Sequence, residues 1–353
     1  MILKRLLISI LCCAVLAAAG SAFADTASVR VGELTWLQQD STERSASLKA
    51  MQAAFSVLVG GFGETAENDT AYLYFRDKEI IYYDNLNSML LALQSGEIDA
   101  AELYSSVCRY IRNQNSDHLK VYMGDQMNEI GPRIENRVLM LNLMDALFSV
   151  DFSFMFLEGQ EPLRDLFNGA LKELREDGTK DRLLQEEIAD IIFNPEKKII
   201  PAVSAPIEGA ETIRVGVTGA LPPVDYFTEA GKPAGYSTRI LAEISRRIGY
   251  NIEFVSVDPS ARVLALSSGK VDVIFWARNH AKDGELVNTL VWKTLFRDHP
   301  DLTNDLSEDE QSMIRSLRDA AMTIRAGENE QMEGTILSDP FYSDWYAYLV
   351  RKE

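Results

Sequence analysis

The sequence predicts an α/β fold of two similar lobes whose sheets are largely parallel. Three observations predict it: an internal repeat, an alternation of short apolar strands with amphipathic helices, and a proline-rich stretch between the repeated units. The chain of 353 residues is 46% hydrophobic and 25% charged, a globular composition with length for two domains that each bury a core.

The repeat comes first. Residues 91–100 and 264–273 share Leu-Ala-Leu, then Ser-Gly, then Asp at matching places, with Ile98 facing Val271. Val29-Arg30-Val31-Gly32 and Ile213-Arg214-Val215-Gly216 precede them as a second pair. In the later unit, Val263, Leu264 and Leu266 end a helix, and Gly269 stands where a left-handed cap is needed. Val271 to Ala277 then reads as a strand buried on both faces. Leu86–Leu93, Gly96 and Ile98–Leu103 read the same way, and Asp99 and Asp272 read as structural groups at the strand starts. Between the later landmarks, Ser237 is the expected cap of a helix carrying Ile240, Leu241, Ile244 and Ile248, ended by Gly249, before a strand at 252–257.

Between the units, Pro162 opens a helix with Leu163, Leu166, Phe167, Ala170, Leu171 and Leu174 on one face, stopped at Gly178. An amphipathic segment over 183–192 follows. Pro195, Pro201 and Pro206 then mark a linker. Residues 280–334 read as an acidic helical insertion with a Ser307 to Glu310 capping box.

The beginning of the chain reads as a secretory signal peptide: Lys4 and Arg5, an apolar run from Leu6 to Ala19, and Ala22-Phe23-Ala24 before Asp25. Cleavage after Ala24 leaves an exported chain, periplasmic or secreted, with no run long enough to span a membrane. Cys108 is then the one remaining cysteine, without a partner for a disulfide, and reads as a buried small hydrophobe. A formal charge of −18 argues against a nucleic-acid partner, which requires a basic surface. His118, His280 and His299 are dispersed and no Cys-x-x-Cys occurs, so no metal site or cofactor is expected. Gly61-Phe62-Gly63 follows a helical run and reads as a loop rather than a dinucleotide fingerprint.

The later unit resembles the extracytoplasmic solute-binding proteins of amino-acid-type ABC transporters (family 3). The residues that carry the resemblance are Ile213 to Val217, Leu221-Pro222-Pro223, Gly231 to Tyr236, Ala265 to Asp272 and Ser338 to Tyr342, in the family's order. The first unit resembles the family's other lobe through Tyr82 to Leu86 and Ala92 to Ala100. Leu163 to Ile188 resembles the family's closing helices, which here precede the first-lobe unit rather than end the chain. The resemblance therefore implies a circular permutation: 25–156 as the family's second lobe, 157–195 as closing helices packing on the other lobe, 196–211 as linker, and 212–353 as its first lobe. It implies a type II periplasmic-binding-protein-like fold with a hinge, crossed by 151–157 and 342–348. It further implies a monomer that captures a small polar or aromatic, amino-acid-like solute in an interlobe cleft and delivers it to an ABC permease. A dehydratase-like enzyme and a ligand sensor are alternatives on the same fold.

The implied ligand contacts are Trp36, Glu102, Tyr104, Asp225, Tyr226, Trp276, Arg278 and Tyr342. The family's Thr-x-x-Arg pattern for a ligand carboxylate is absent, and the chain reads Phe275-Trp276-Ala277-Arg278-Asn279, making Arg278 the nearest cation. The family's second-lobe aspartate position is Tyr104, with Glu102 two residues earlier as a substitute. Asp225 and Tyr226 follow the Pro-Pro turn that meets ligand in the family. Trp276 reads equally as pocket wall or core, Arg278 as pocket cation or salt-bridge partner, and Trp36 as stacking wall or core plug.

Overall fold

The computed structural model describes residues 28–37, 78–122, 150–193, 206–279, 333–344 and 346–352. The signal segment 1–24, the Gly61-Phe62-Gly63 loop and the insertion 280–332 lie outside the described residues.

Two mixed sheets are built to one plan. The first unit supplies β1 (Val29–Leu34), β2 (Lys78–Tyr83), helix α1 (Leu86–Ser95), β3 (Ala100–Tyr104), helix α2 (Ser105–Gln114) and β4 (Leu119–Tyr122). After β5 (Val150–Leu157) come α3 (Glu161–Glu176) and a helical run α4 over 179–193, whose middle turn, Gln185–Ala189, is a π-helix. The second unit supplies β6 (Thr212–Val217), the short β7 (Ala220–Leu221), β8 (Asp225–Phe227) and β9 (Pro233–Ala234), then α5 (Tyr236–Ile248), β10 (Asn251–Ser256), α6 (Arg262–Ser267) and β11 (Val273–Asn279). Strands β12 (Thr335–Leu337), β13 (Tyr342–Asp344) and β14 (Tyr346–Arg351) follow. The first sheet has the order β2-β1-β3-β14-β4 and the second β10-β6-β11-β5-β12, with β13 also on β5. In each, the first three strands are parallel and the fourth runs antiparallel to both its neighbours.

The fourth strands are exchanged. β14 follows the second unit yet completes the first sheet, pairing β3 and β4. β5 follows the first unit yet belongs wholly to the second sheet. The sequence reading places residues 150–156 with the first unit, as part of the family's second lobe, and has 151–157 cross the hinge; β5 instead pairs β11 on one side and β12 and β13 on the other. Its near-continuous burial fits an interior strand, with Phe154 and Phe156 both packed edge-on to Phe167 of α3. The later crossing falls between Asp344, in the second sheet, and Tyr346, in the first.

The repeat becomes a repeated ion pair. Arg30, second residue of β1, donates from Nε and Nη2 to Asp99 at 3.1 and 2.7 Å, while its backbone N–H donates to the same carboxylate. Arg214, third residue of β6, holds Asp272 in the same way at 3.0 and 2.6 Å. Each arginine also donates to the carbonyl of the glycine that ends the preceding helix, Gly96 or Gly269, both left-handed. The aspartates answer with backbone N–H bonds to Arg30 and Arg214 carbonyls, each 2.8 Å. One bidentate fork thus ties helix end, strand start and neighbouring strand together in each unit. Two residues on, Gly32 lies so close to α1 that a Cβ there would sit 2.5 Å from Ile98 Cδ1.

Helices α3 and α5 pack side by side, and Arg247 of α5 bridges Asp177 at 2.6 Å and Glu243 at 2.5 Å. The cap of α5 is Gly235, not Ser237; the Ser237 hydroxyl is drawn instead to Asp225 and the Ala234 carbonyl. Cys108 is fully buried, and burial pushes its thiol far above the ordinary range, which leaves it protonated and inert.

Burial opposes the charge on Asp99 and Asp272, but the arginine hydrogen bonds outweigh it and hold both carboxyls below their ordinary values. Their stabilisation is therefore complete above about pH 4 and lost as pH falls through the lowered values. Thermal melts across the acid range should show this as a falling midpoint. The Asp99→Asn, Asp272→Asn double variant should melt lower at neutral pH and lose less on acidification; an unchanged acid slope would show that these pairs do not carry it.

Candidate functional site

The site lies where the carboxyl ends of the central strands of both sheets converge. On the second-sheet side, β6 runs into Thr218 and Gly219, then the hairpin of β7 and β8, whose turn holds the cis Pro222-Pro223 bond. Asp225 is fully buried and holds this loop: it accepts from the Thr218 N–H and hydroxyl, both at 2.9 Å, from the Gly219 N–H at 3.1 Å, and from the Ser237 hydroxyl. Burial pushes the Asp225 carboxyl above its ordinary value against the pull of these donors. The turn is latched to α5 by Tyr236 and Ser237 N–H bonds to the Pro223 and Val224 carbonyls. Gly235 makes the latch possible, with φ +98° and its Cβ position only 2.3 Å from the Pro223 carbonyl oxygen.

On the first-sheet side, β3 passes straight into α2, and Tyr104 stands at the helix N-cap without a side-chain capping bond. The cap is supplied from the other sheet. Asp344 of β13 accepts from the Ser106 N–H at 3.2 Å and from the Ser106 hydroxyl, placing a carboxylate at the positive end of α2. Tyr342 donates to the same oxygen at 2.9 Å. Burial and the adjacent Asp344 carboxylate push the Tyr342 phenol well above its ordinary value, so it stays a neutral donor.

Aromatic rings fill the space between. Phe152 of β5 is the hub, edge-on to Tyr104 at 5.0 Å and to Trp276 at 5.9 Å, and stacked on Tyr342 at 5.6 Å. Trp276 lies under the Arg262 guanidinium at 3.8 Å, touches Trp36 at 5.6 Å and donates its indole N–H to the Thr218 hydroxyl at 3.3 Å. Tyr104 stacks on Tyr346 at 4.8 Å, their hydroxyls 3.3 Å apart, and Arg278 donates to the Tyr346 hydroxyl at 3.4 Å. What remains is a cavity of about 10 Å³, room for one water molecule. Tyr104, Ser106 and Val107 line it from the first sheet's side. Phe152, Leu221, Val224, Trp276, Phe341, Tyr342 and Asp344 line it from the second's.

Of the residues singled out in the sequence, Tyr104, Trp276 and Tyr342 line this cavity. Trp36 stands one ring behind, against Trp276. Arg278 reaches it through Tyr346. Asp225 supports the loop carrying Leu221 and Val224. Glu102 is buried mid-strand in β3, opposite Tyr348 of β14. Tyr226 lies beside Tyr110 of α2 at 6.1 Å, its buried hydroxyl without a hydrogen-bond partner among the described residues. Sequence reasoning missed Ser106, Phe152, Leu221 and Asp344. The serine pair after β3 is a helix-start signal that could have found Ser106. Asp344 gave no signal, because its role depends on a contact 238 residues away.

Residues 213–282 match the sequence model of the bacterial extracellular solute-binding proteins, family 3. That span runs from β6 through β11 and includes the loop of Asp225. No curated protein matches the chain. Among solved structures, the chain is similar to the zinc-bound ligand-binding component of an ABC-type import system from Staphylococcus aureus. That likeness is at 12% identity and TM-score 0.33, covering 89% of this chain and 86% of that one. It is similar to an ancestral arginine-binding protein bound to arginine at 12% identity and TM-score 0.32, over 93% and 85% of the two chains. It is also similar to a putative L-cystine ABC transporter protein from Listeria monocytogenes at 9% identity and TM-score 0.31, over 93% and 84%. The fold is α/β, with two mixed sheets. Among the described residues, no helix is long and apolar enough to cross a membrane, and no His, Cys, Asp and Glu cluster could hold a metal.

Asp225→Ala strands the buried Thr218 N–H and the half-buried Gly219 N–H, at about 1–3 kcal/mol for the first and less for the second. Chemical denaturation should show a loss of about that sum, and Gly235→Ala should also destabilise by forcing the latch apart. A loss within about 0.5 kcal/mol, the range of an ordinary surface change, would mean the loop is not held this way.

Proposed function

We propose that this protein is an extracytoplasmic solute-binding protein that takes a small molecule between two lobes and presents it to an ABC permease. The family match over 213–282 carries the reading, because those residues include Leu221, Val224 and Trp276 of the convergent site. In this reading the chain is a circularly permuted member. Residues 25–156 supply most of the family's second lobe, 157–195 its closing helices, 196–211 a linker, and 212–353 its first lobe with an insertion over 280–334. The packing of α3 on α5 and the return of β14 to the first sheet support that order. The crossing between Asp344 and Tyr346 is then one side of the hinge, and Tyr104, Trp276 and Tyr342 are the ligand contacts, with Trp36, Arg278, Glu102, Asp225 and Tyr226 supporting them. Export by a signal peptide cleaved after Ala24 places the mature chain in the periplasm or outside the cell.

Ligand binding to the folded protein alone stabilises it, by about 2.7 kcal/mol when free ligand is roughly a hundred times its Kd. A thermal-shift screen of amino acids, short peptides, polyamines, sugars and aromatic compounds should therefore find at least one saturable stabiliser that is recovered unchanged. Stabilisation by none would sink the reading, and conversion of the stabiliser to product would replace it with an enzyme. Sequencing the exported protein should find Asp25 at its N-terminus.

A further inference from the structure

We infer that the ligand of this site is a small uncharged aromatic compound, of the size of phenol or indole, gripped by ring stacking rather than by ion pairing. This rests on the solute-binding reading above and names the class of solute.

Polar groups on the cavity wall are already engaged within the protein. One Asp344 oxygen takes the Ser106 N–H, the Ser106 hydroxyl and the Tyr342 hydroxyl. The Trp276 N–H is given to Thr218, and the Tyr104 hydroxyl pairs with that of Tyr346. The Arg278 guanidinium donates to Tyr346 and does not line the cavity. An incoming carboxylate would have to break one of these bonds to find a donor, or be buried unpaired beside Asp344 at a cost far beyond what a small contact returns. An aromatic ring meets no such penalty. Phe152 is held by edge and face contacts to three rings, and a ligand ring can replace one of those contacts in kind.

Size points the same way and adds a condition. The cavity has room for about one water, whereas a dry apolar cavity of about 150 Å³ takes up benzene. The walls must therefore part before a ring enters. They come from different sheets: Tyr104 and Val107 on one side, Phe152, Leu221 and Trp276 on the other. Separation of the sheets enlarges the space and parts Ser106 from Asp344, and closure on a neutral ring restores that cap together with the apolar contact between the walls.

The test titrates the full-length exported protein with phenol and indole, against phenylalanine, tryptophan, benzoate, arginine and glutamate. Isothermal titration calorimetry reads the binding, because indole and tryptophan share the chromophore of the protein's own four tryptophans. Phenol or indole should saturate the signal at concentrations at least about tenfold below any of the charged compounds. Val107→Phe places a ring in the cavity and should abolish phenol binding; a cooperative melt confirms that it folds. Leu221→Ala widens the wall and should favour indole over phenol by about tenfold relative to the parent. Tighter binding of a charged compound, or stabilisation only by solutes outside the aromatic set, overturns the ligand class and leaves solute binding standing. Phenol binding unchanged by both variants overturns the assignment to this cavity. Failure of every solute in the wider screen overturns both.

Discussion

Each half of this protein turns on one fork: an arginine on the first strand closing on an aspartate at the start of the third. The geometry is nearly superimposable in the two units, down to the extra bond from the guanidinium to the helix-ending glycine. Both pairs are partly exposed, so they add modestly to overall stability. Their effect is positional. A strand, a helix end and a neighbouring strand must come into one register before the fork can close, and that register sets where the carboxyl ends of β1, β3, β6 and β11 point. The convergent site is downstream of that geometry.

At those ends the protein replaces charge by rings. The buried carboxylates there, Asp225 and Asp344, are committed to backbone and hydroxyl donors that shape a loop and cap a helix. Removing their lone pairs from general use leaves an apolar interior whose identity rests on Phe152, Trp276, Tyr104 and Tyr342. Rigid framing and an apolar centre are linked: the edge-on and stacked ring contacts of Phe152 form only once the polar frame has brought both walls into place.

Much of the fold was legible because it is local and repeated. Gly96, Gly178, Gly249 and Gly269 all take the left-handed conformation that their helix-ending positions demand, and the strands after Gly96 and Gly269 fall where the apolar runs place them. Trp276 and Tyr104, singled out through the family resemblance, both line the cavity. Non-local features were less legible. β5 reads as part of the unit it follows, and only its hydrogen bonds to β11 and β12 show that it belongs to the next. Ser237 has the composition of a helix cap, but a buried aspartate twelve residues earlier claims its hydroxyl. Arg30 and Arg214 stood in the repeat without an assigned role, since nothing local announces a partner 69 or 58 residues away.

The exchanged fourth strands bear on the order of assembly. Arg351, in the strand that completes the first sheet, bonds to carbonyls of Leu93 and Ile98, the former 258 residues earlier. Closing so long a loop is entropically costly and slow compared with pairing β1 to β2 and β3. The first half can therefore collapse early but cannot finish its own sheet; that waits until the second half has formed and its trailing strand has come back. The earliest part of the described chain to emerge is among the last to become secure, and the two halves mature as one cooperative unit rather than in sequence.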